Sequence, residues 1–162
     1  MKSWTQKLEG AEFKIMRLND APTPQQVADN PQGVVDYLRP LLPASLRYNP
    51  DTENFIVVIV NTRRRPIGFE IISNGTLDTL LVHAREVFKP AILLGGAAIV
   101  LAHNHPSGDP TPSEADIKVT RDLVRAGQLL KIEVLDHVIL GKAQEGQPKD
   151  WSSLRELGYF YS

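Results

Sequence analysis

Two short, continuously apolar runs constrain the fold of this chain more than any other feature. Phe55–Val60 reads FIVVIV, and Ala97–His103 reads AAIVLAH. The first run is rich in β-branched residues, and neither run alternates with polar residues, a pattern typical of strands that are buried on both faces. Since both faces of such strands must be covered, the chain is expected to form a central sheet flanked by helices.

Further strands and helices are predicted around these two runs. Ile67–Ile72 follows the polar turn Asn61–Pro66 and pairs with the first run as a hairpin, and Ser73–Thr76 is predicted to be the next turn. Lys131–Leu140 gives a fourth strand. Apolar spacings of three and four residues predict helices at Gln32–Leu42, His83–Leu94, Ser113–Gly127 and Trp151–Tyr159. The order of these elements predicts a single mixed α/β domain.

The first 50 residues differ in composition from the rest of the chain. They hold six of the 12 prolines, and the stretch Ala21–Pro31 is both proline-rich and polar, which favours an irregular connection. The apolar residues of Phe13–Leu18 favour either a strand or packing on the outside of the domain. We therefore expect a proline-rich segment with one short helix over residues 1–50 and a domain over residues 51–162. Whether this segment packs on the core, dimerises or covers a site is left open.

Composition excludes several classes of protein. Cysteine is absent, which removes disulfide scaffolds, thiol nucleophiles and cysteine-ligated metal sites. The longest apolar run, Ala91–Ala102, has 12 residues with two glycines and is too short to span a membrane. The first residues lack an apolar stretch of signal-peptide length, so a cytoplasmic protein is expected. The 18 basic and 19 acidic residues give a net charge of −1, which does not indicate a polyanionic partner.

The strongest functional signal lies where the second apolar run ends. His103 and His105 flank one residue, and side chains two apart on a strand point to the same face, so their imidazoles converge. A loop rich in turn-forming residues then leads to Ser113 and Asp116, and it can fold the start of the next helix over the end of the strand. Two histidines and an aspartate that leave a fourth position open have the composition of a catalytic zinc site.

Ser113 and Asp116 also have a purely structural interpretation. A Ser-x-x-Asp at a helix start resembles a capping box, and an acidic residue in the first turn complements the helix dipole. Taken alone, the pair favours this structural role. The metal hypothesis depends on this pair occurring together with His103 and His105, at the point where a buried strand is followed by a polar loop. The two interpretations are compatible, because a capping serine can still present its hydroxyl to a metal pocket.

The segment His103–Asp116, HNHPSGDPTPSEAD, resembles the signature of JAMM (MPN+) metalloproteases. In that signature, His-x-His is followed by seven residues and Ser-x-x-Asp, and the fuller string is similar to the bacterial RadC branch of the family. Gly75-Thr76, Ala84–Phe88 and Leu135–Ile139 are further RadC-like strings. The resemblance covers Glu53 to Tyr159 and implies a JAMM-type domain.

The resemblance implies a zinc hydrolase that acts on amide, peptide or isopeptide bonds of a protein or peptide substrate. Carried over by position, the zinc ligands are His103, His105 and Asp116. Ser113 is implied to stabilise the oxyanion. The general base is implied to be a glutamate, and Glu53, two residues before Phe55, stands where the RadC-like pattern has one. Glu86 is the alternative.

Two acidic residues are candidates for a position behind the zinc ligands. Asp136 lies in the fourth predicted strand next to His137, and alternation sends these two side chains to opposite faces. A carboxylate there can orient a zinc histidine, but a satisfied core aspartate and a packed histidine are favoured. Glu86 is the second candidate.

Two other functions compete with hydrolysis. The first is a non-catalytic interaction scaffold with the same fold. Such a scaffold is expected to lack one of the metal-ligating residues, and all three are present here. The second is a DNA-repair or DNA-processing accessory, for which Arg63–Arg65 is the only basic run. Three arginines in a hairpin turn are more typical of a solvated loop. RadC-like proteins commonly carry a helix-hairpin-helix module, and the 52 residues before Glu53 are too few and too proline-rich for a convincing one to be expected in them.

Overall fold

The two apolar runs lie at the centre of a five-stranded sheet. A computed structural model describes residues 28–75 and 82–161. The helices of this part of the chain are α1 (Pro31–Leu41), α2 (Ala84–Leu94) and α3 (Glu114–Leu130), with a 3-10 turn at Leu42–Ala44. Its strands are β1 (Glu53–Val60), β2 (Pro66–Gly75), β3 (Ala98–Asn104), β4 (Glu133–Leu140) and β5 (Trp151–Ser153). The strand order is β2-β1-β3-β4-β5, which confirms the predicted mixed α/β class.

The two faces of the sheet are covered by different helices. Alternate residues of β1, namely Ile56, Val58 and Val60, pack in the same cluster as Val34, Val35 and Leu38 of α1. The intervening residues Phe55, Val57 and Ile59 pack with Val87 and Phe88 of α2 and Val119 and Leu123 of α3. Every residue of β3 is buried, which confirms that this run is covered on both faces.

The sheet topology brings three chain segments to the same end of the inner strands: the start of β1, the end of β3 and the N-terminus of α3. β3 and β4 are parallel, so a crossover is needed between them, and α3 supplies it. The N-terminus of α3 therefore lies near the end of β3. β1 runs antiparallel to β3, so the start of β1 lies at that same end. Glu53 and His105 are thereby brought together from positions distant in the chain.

The C-terminal helix predicted at Trp151–Tyr159 is wrong. Trp151–Ser153 instead forms β5, which pairs antiparallel with residues 138–140 of β4, and turns follow it. The helix prediction relied on Leu154 and Leu157 sharing a buried stripe. Leu154 is fully buried, but Leu157 is 53% exposed, so the two leucines do not form one apolar face. Pairing with β4 satisfies the backbone of this segment better than an isolated short helix would.

Two predicted boundaries also differ from the structure. The turn predicted at Ser73–Thr76 is partly strand, because β2 continues to Gly75 and its last residues pair with the start of β1. α3 ends at Leu130 rather than at Gly127. Gly127 lies inside the helix at a position where no larger side chain fits, because a Cβ there would lie 2.5 Å from the backbone oxygen of Ile132 and 3.2 Å from the ring of Phe88. Gly127 therefore allows α3 to approach the sheet closely.

The N-terminal expectations are covered only in part. The helix predicted at Gln32–Leu42 is confirmed as α1, with Asn30 as its N-cap through a hydrogen bond from the Gly33 amide. The strand considered at Phe13–Leu18 lies outside the described residues. Among the described residues, no helix is long and apolar enough to cross a membrane.

Candidate metal centre

His103, His105 and Asp116 converge at the edge where β3 ends and α3 begins. One potential ligand atom from each lies within 4.8 Å of the other two. His103 Nε2 is 2.9 Å from His105 Nε2 and 3.2 Å from Asp116 Oδ1, and His105 Nε2 is 3.6 Å from Asp116 Oδ2. Within residues 28–75 and 82–161, this is the one group of histidine and acidic side chains arranged to hold a metal ion.

Two of these separations are close to the spacing of ligands around a tetrahedral metal ion. Nitrogen and oxygen ligands lie about 2.0–2.1 Å from zinc, which places two ligands of a tetrahedron about 3.3–3.4 Å apart. The 2.9 Å between the two Nε2 atoms and the 3.2 Å from His103 Nε2 to Asp116 Oδ1 are close to that value, and the 3.6 Å contact of His105 is with the other carboxylate oxygen, Oδ2. Three protein ligands also leave the fourth position open. Since imidazole and carboxylate suit several divalent ions, the arrangement supports a metal site without selecting the metal.

His105 is held so that its Nε2 faces the other two side chains. Its backbone N–H donates to the Leu140 carbonyl at 2.9 Å, which anchors it to the end of β4. Its ring Nδ1 lies 2.7 Å from the Asp109 carbonyl oxygen. A carbonyl can only accept, so Nδ1 donates in that contact, and whenever the ring is neutral its lone pair is on Nε2.

Asp116 serves the helix and the metal site at once. Its Oδ2 accepts from the Ser113 N–H at 2.7 Å, and its own N–H donates to Ser113 Oγ at 3.2 Å, so the predicted capping box is present. Burial alone would raise the pKa of Asp116, but the hydrogen bonds with His103 and His105 outweigh burial and hold that pKa well below its usual range. The carboxylate is therefore ionised, as a metal ligand must be.

Glu53, and not Glu86, lies beside the histidines. The pairing of β1 with β3 ends with Phe55 opposite His103, and Glu53 begins β1 two residues before Phe55, at the end of β3 that carries the histidines. Asp116 is the main group that raises the pKa of His105, and the negative charge of Glu53 adds to it. Burial lowers the pKa of His103, and Asp116 and Glu53 both oppose that shift.

Glu86 makes its contacts on the surface of α2. Its carboxylate lies 2.8 Å from Lys89 Nζ and 3.7 Å from Arg85 Nε. The hydrogen bond and the charge of Lys89 lower the pKa of Glu86. These contacts tie Glu86 to its own helix, and neither of them involves the histidine group.

His137, which the sequence favours only as a packed histidine, lies next to the metal-ligand candidates. Its Nε2 lies 2.8 Å from His103 Nδ1, so it stands directly behind that ring. A bulge in β4 makes this possible, because Ile99 pairs with Val134 whereas Leu101 pairs with His137. The extra residue brings His137 to the same face as Val134, three positions earlier. The sequence marked this segment through the RadC-like string Leu135–Ile139 and through the adjacent Asp136 and His137, but it did not show that His137 contacts His103.

Asp136 is a buried structural residue whose carboxylate accepts hydrogen bonds from nearby backbone and serine groups, and it does not orient a zinc histidine. Its carboxylate accepts from Ser153 Oγ at 2.7 Å and from the backbone N–H groups of His137 and Arg155 at 2.7 and 3.2 Å. Burial raises the pKa of Asp136, while these hydrogen bonds lower it. Asp136 therefore fastens the segment after β5 to the sheet.

Replacing Asp136 with alanine should lower the free energy of unfolding by about 2–4 kcal/mol, because each buried donor left without an acceptor costs about 1–3 kcal/mol. Urea unfolding followed by circular dichroism measures this change. Asp136→Asn is the matched control and should lose less, since it keeps one acceptor oxygen. A loss for the alanine variant no larger than about 0.5 kcal/mol, the range of ordinary surface substitutions, would contradict this role.

The basic run Arg63–Arg65 lies far from the histidines. It occupies the turn between β1 and β2, at the opposite end of β1 from Glu53, a distance of about 23 Å at 3.3 Å per strand residue. Arg64 has a positive φ of 59° and its guanidinium lies 3.0 Å from Glu133. The Asn61 side chain accepts from the backbone N–H groups of Arg63 and Arg65 and closes the turn. The structure does not join this run to the metal site.

Comparison with known proteins points to one family. Residues 28–159 match the RadC-like JAB domain. A UPF0758 protein of Symbiobacterium thermophilum is 43% identical over 143 residues, which cover 88% of this chain and 56% of that protein. A UPF0758 protein of Moorella thermoacetica is 53% identical over 115 residues, which cover 71% of this chain and 48% of that protein. The chain thus spans about half the length of the curated relatives it matches.

Proposed function

Because the chain belongs to the RadC-like JAB domain family, we propose that it is a zinc-dependent hydrolase of amide bonds, in peptides or in isopeptide linkages. The observation that carries this proposal is the convergence of His103, His105 and Asp116 at metal-ligand separations. Glu53 lies beside them. Together these groups supply a ligand set with an open position and a candidate base, which amide hydrolysis requires.

The ligand set favours zinc as the ion. His103 and His105 offer Nε2 atoms and Asp116 offers a carboxylate oxygen, and catalytic zinc sites combine three such ligands with one open position. Zinc, when bound, supplies a Lewis acid and lowers the pKa of a coordinated water from about 16 towards about 7. The protein contributes a fixed arrangement of ligands at the end of a buried strand.

Glu53 is the proposed general base. It begins β1, is partly buried, and its negative charge acts to raise the pKa values of His103 and His105. Its carboxylate takes a proton from the attacking water and delivers it to the nitrogen of the leaving amine. This transfer makes the amine a neutral leaving group.

Ser113 is the proposed oxyanion donor. It is exposed, so a substrate carbonyl can reach it. In the capping box, Ser113 Oγ acts as an acceptor for the Asp116 N–H, and this leaves the hydroxyl proton to donate. A donor aimed at the oxygen that becomes negative stabilises the transition state more than the ground state.

The test begins with metal content, measured by elemental analysis on protein purified without a histidine tag. We expect about one zinc per chain, as in catalytic sites with three protein ligands, and loss of zinc in the His103→Ala/His105→Ala double variant. His83→Ala is the matched control, because His83 is exposed at the start of α2, and it should keep its zinc. Zinc-loaded protein is then screened for cleavage of peptide and isopeptide substrates.

Two results would count against the proposal. If no metal binds even after reconstitution with zinc, Ser113 and Asp116 form only a helix cap and an interaction scaffold becomes the better interpretation. If zinc is bound but every class of amide substrate resists cleavage, the metal site stands and the hydrolase does not.

A further inference from the structure

A chain of three hydrogen bonds runs from α3 to the back of the His103 ring. Thr120 Oγ1 donates to the Asp116 carbonyl at 2.6 Å and lies 2.5 Å from His137 Nδ1. His137 Nε2 in turn lies 2.8 Å from His103 Nδ1. Thr120, His137 and His103 are all 0% exposed, so water does not compete for these contacts.

The directions of these hydrogen bonds follow from counting protons. The Thr120 hydroxyl has a single proton, and the Asp116 carbonyl can only accept it. Thr120 Oγ1 must therefore accept from His137, which places the ring proton of His137 on Nδ1. The Nε2 of a neutral His137 is then an acceptor, so His103 donates from Nδ1 and keeps the lone pair of its Nε2. That lone pair accepts from His105 Nε2 at 2.9 Å in the metal-free protein, where His105 carries protons on both ring nitrogens, and a metal ion bound between His103, His105 and Asp116 would replace the Nε2 proton.

We propose that His137 and Thr120 are positioning residues that set the tautomer of His103, so that its Nε2 is ready to bind the metal. The inference rests on the proposed zinc site and adds to it the two residues behind one ligand. Such residues, which hold the second nitrogen of a ligating histidine, commonly contribute about 10- to 100-fold to metal affinity.

Thr120 is needed because a neutral imidazole can carry its proton on either ring nitrogen, so the ring of His137 does not itself fix which nitrogen donates and which accepts. His105 donates to a backbone carbonyl, which can only accept, so its tautomer is set directly. His137 can either donate or accept at Nε2. Without the Thr120 oxygen as an acceptor, the proton of His137 can move to Nε2 and point at His103. The proton of His103 would then be driven onto its own Nε2, where it blocks metal binding.

Phe55 holds the two rings in this arrangement. Its ring lies nearly parallel to that of His103, with centroids 6.4 Å apart and planes inclined by 13°. It meets the ring of His137 edge-on, with centroids 5.5 Å apart and an angle of 72°. Rotation of either imidazole would meet this side chain, so packing preserves the ring orientations while Thr120 selects the proton positions.

The test compares Thr120→Val, which keeps the shape of the side chain but removes its hydroxyl, with Thr120→Ser, which keeps the hydroxyl. Nitrogen-15 NMR of histidine-labelled, metal-free protein shows which ring nitrogen carries the proton. We expect Nδ1 of both His137 and His103 in the wild type and in Thr120→Ser, and Nε2 of His137 in Thr120→Val. Zinc affinity, measured by competition with a chelator, should fall about 10- to 100-fold in Thr120→Val and stay within about threefold in Thr120→Ser.

Three results would overturn the inference. Wild-type zinc affinity in Thr120→Val would show that the hydroxyl is not needed, and an equal loss in Thr120→Ser would assign the effect to packing. A wild-type spectrum with the His137 proton on Nε2 would contradict the proposed direction, and this measurement stands even if Thr120→Val does not fold. If the wild type binds no zinc, the proposed function fails, whereas the NMR result still tests the hydrogen-bond chain.

Discussion

Replacing Glu53 with glutamine should lower kcat of the zinc-loaded protein by about 10²- to 10⁴-fold, the usual contribution of a general base. Glutamine keeps the size of the side chain but cannot accept the proton of the attacking water. Zinc content should stay at the wild-type level, because Glu53 is not among the three converging ligand side chains. The measurement is the rate of cleavage of the best substrate from the amide screen, with zinc content determined on the same sample.

Glu86→Gln is the matched control for this prediction. Glu86 pairs with Lys89 and Arg85 on the surface of α2, so its loss should leave kcat unchanged. Exposed ion pairs contribute about 0–1 kcal/mol, so stability should also change little. Full activity in Glu53→Gln, or a loss confined to Glu86→Gln, would show that the base has been assigned to the wrong glutamate.

Replacing Asp116 with asparagine should weaken zinc binding by more than about 100-fold, which exceeds the effect of residues behind the ligands. An asparagine oxygen can still accept from the Ser113 N–H, so the helix cap is kept. The neutral amide does not supply the ionised oxygen that a metal ligand provides. The measurement is zinc-dependent stabilisation, since a ligand at 100 times its Kd raises the free energy of unfolding by about 2.7 kcal/mol. The wild type should gain this stability when zinc is added, and Asp116→Asn should not.

Ser113→Ala is the complementary variant, because it removes the cap and keeps the ligand. The Asp116 N–H loses its acceptor, which should cost about 0.5–2 kcal/mol with or without zinc. Added zinc should still stabilise this variant as it does the wild type, while kcat should fall about 10²- to 10³-fold through loss of the oxyanion donor. If Asp116→Asn responds to zinc like the wild type, Asp116 acts only as a cap.

Local pattern was enough to predict the centre of the fold and the polar group next to it. Phe55–Val60 is an unbroken run of mostly β-branched apolar residues, Ala97–Ala102 is an unbroken apolar run, and burial on both faces is the arrangement that accommodates them. His103 and His105 are two residues apart, so strand geometry alone brings them to one face. The capping box of Ser113 and Asp116 depends on a spacing of three residues and was likewise visible in the sequence.

Contacts between distant segments explain the predictions that failed. The spacing of Leu154 and Leu157 suits a helix, but Trp151–Ser153 is held by pairing with β4, which no local pattern reports. Asp136 and His137 were both recognised, but their roles depended on their partners. Ser153 and Arg155 engage Asp136, whereas the bulge in β4 turns His137 towards His103.

The sequence by itself determined that a strand buried on both faces ends in two histidines and is followed by an aspartate at a helix start. These features were visible because the pattern of apolar and polar residues within one strand or helix shows which of its faces are buried. Only the tertiary structure decided which glutamate lies beside this cluster and which residue supports it from behind. The antiparallel pairing of β1 with β3 brings the start of β1, with Glu53, to the end of β3 that carries the histidines, and a one-residue bulge in β4 places His137 behind His103. Register and bulges are set by packing between strands that are far apart in the chain, and that information is not contained in the pattern of any single strand.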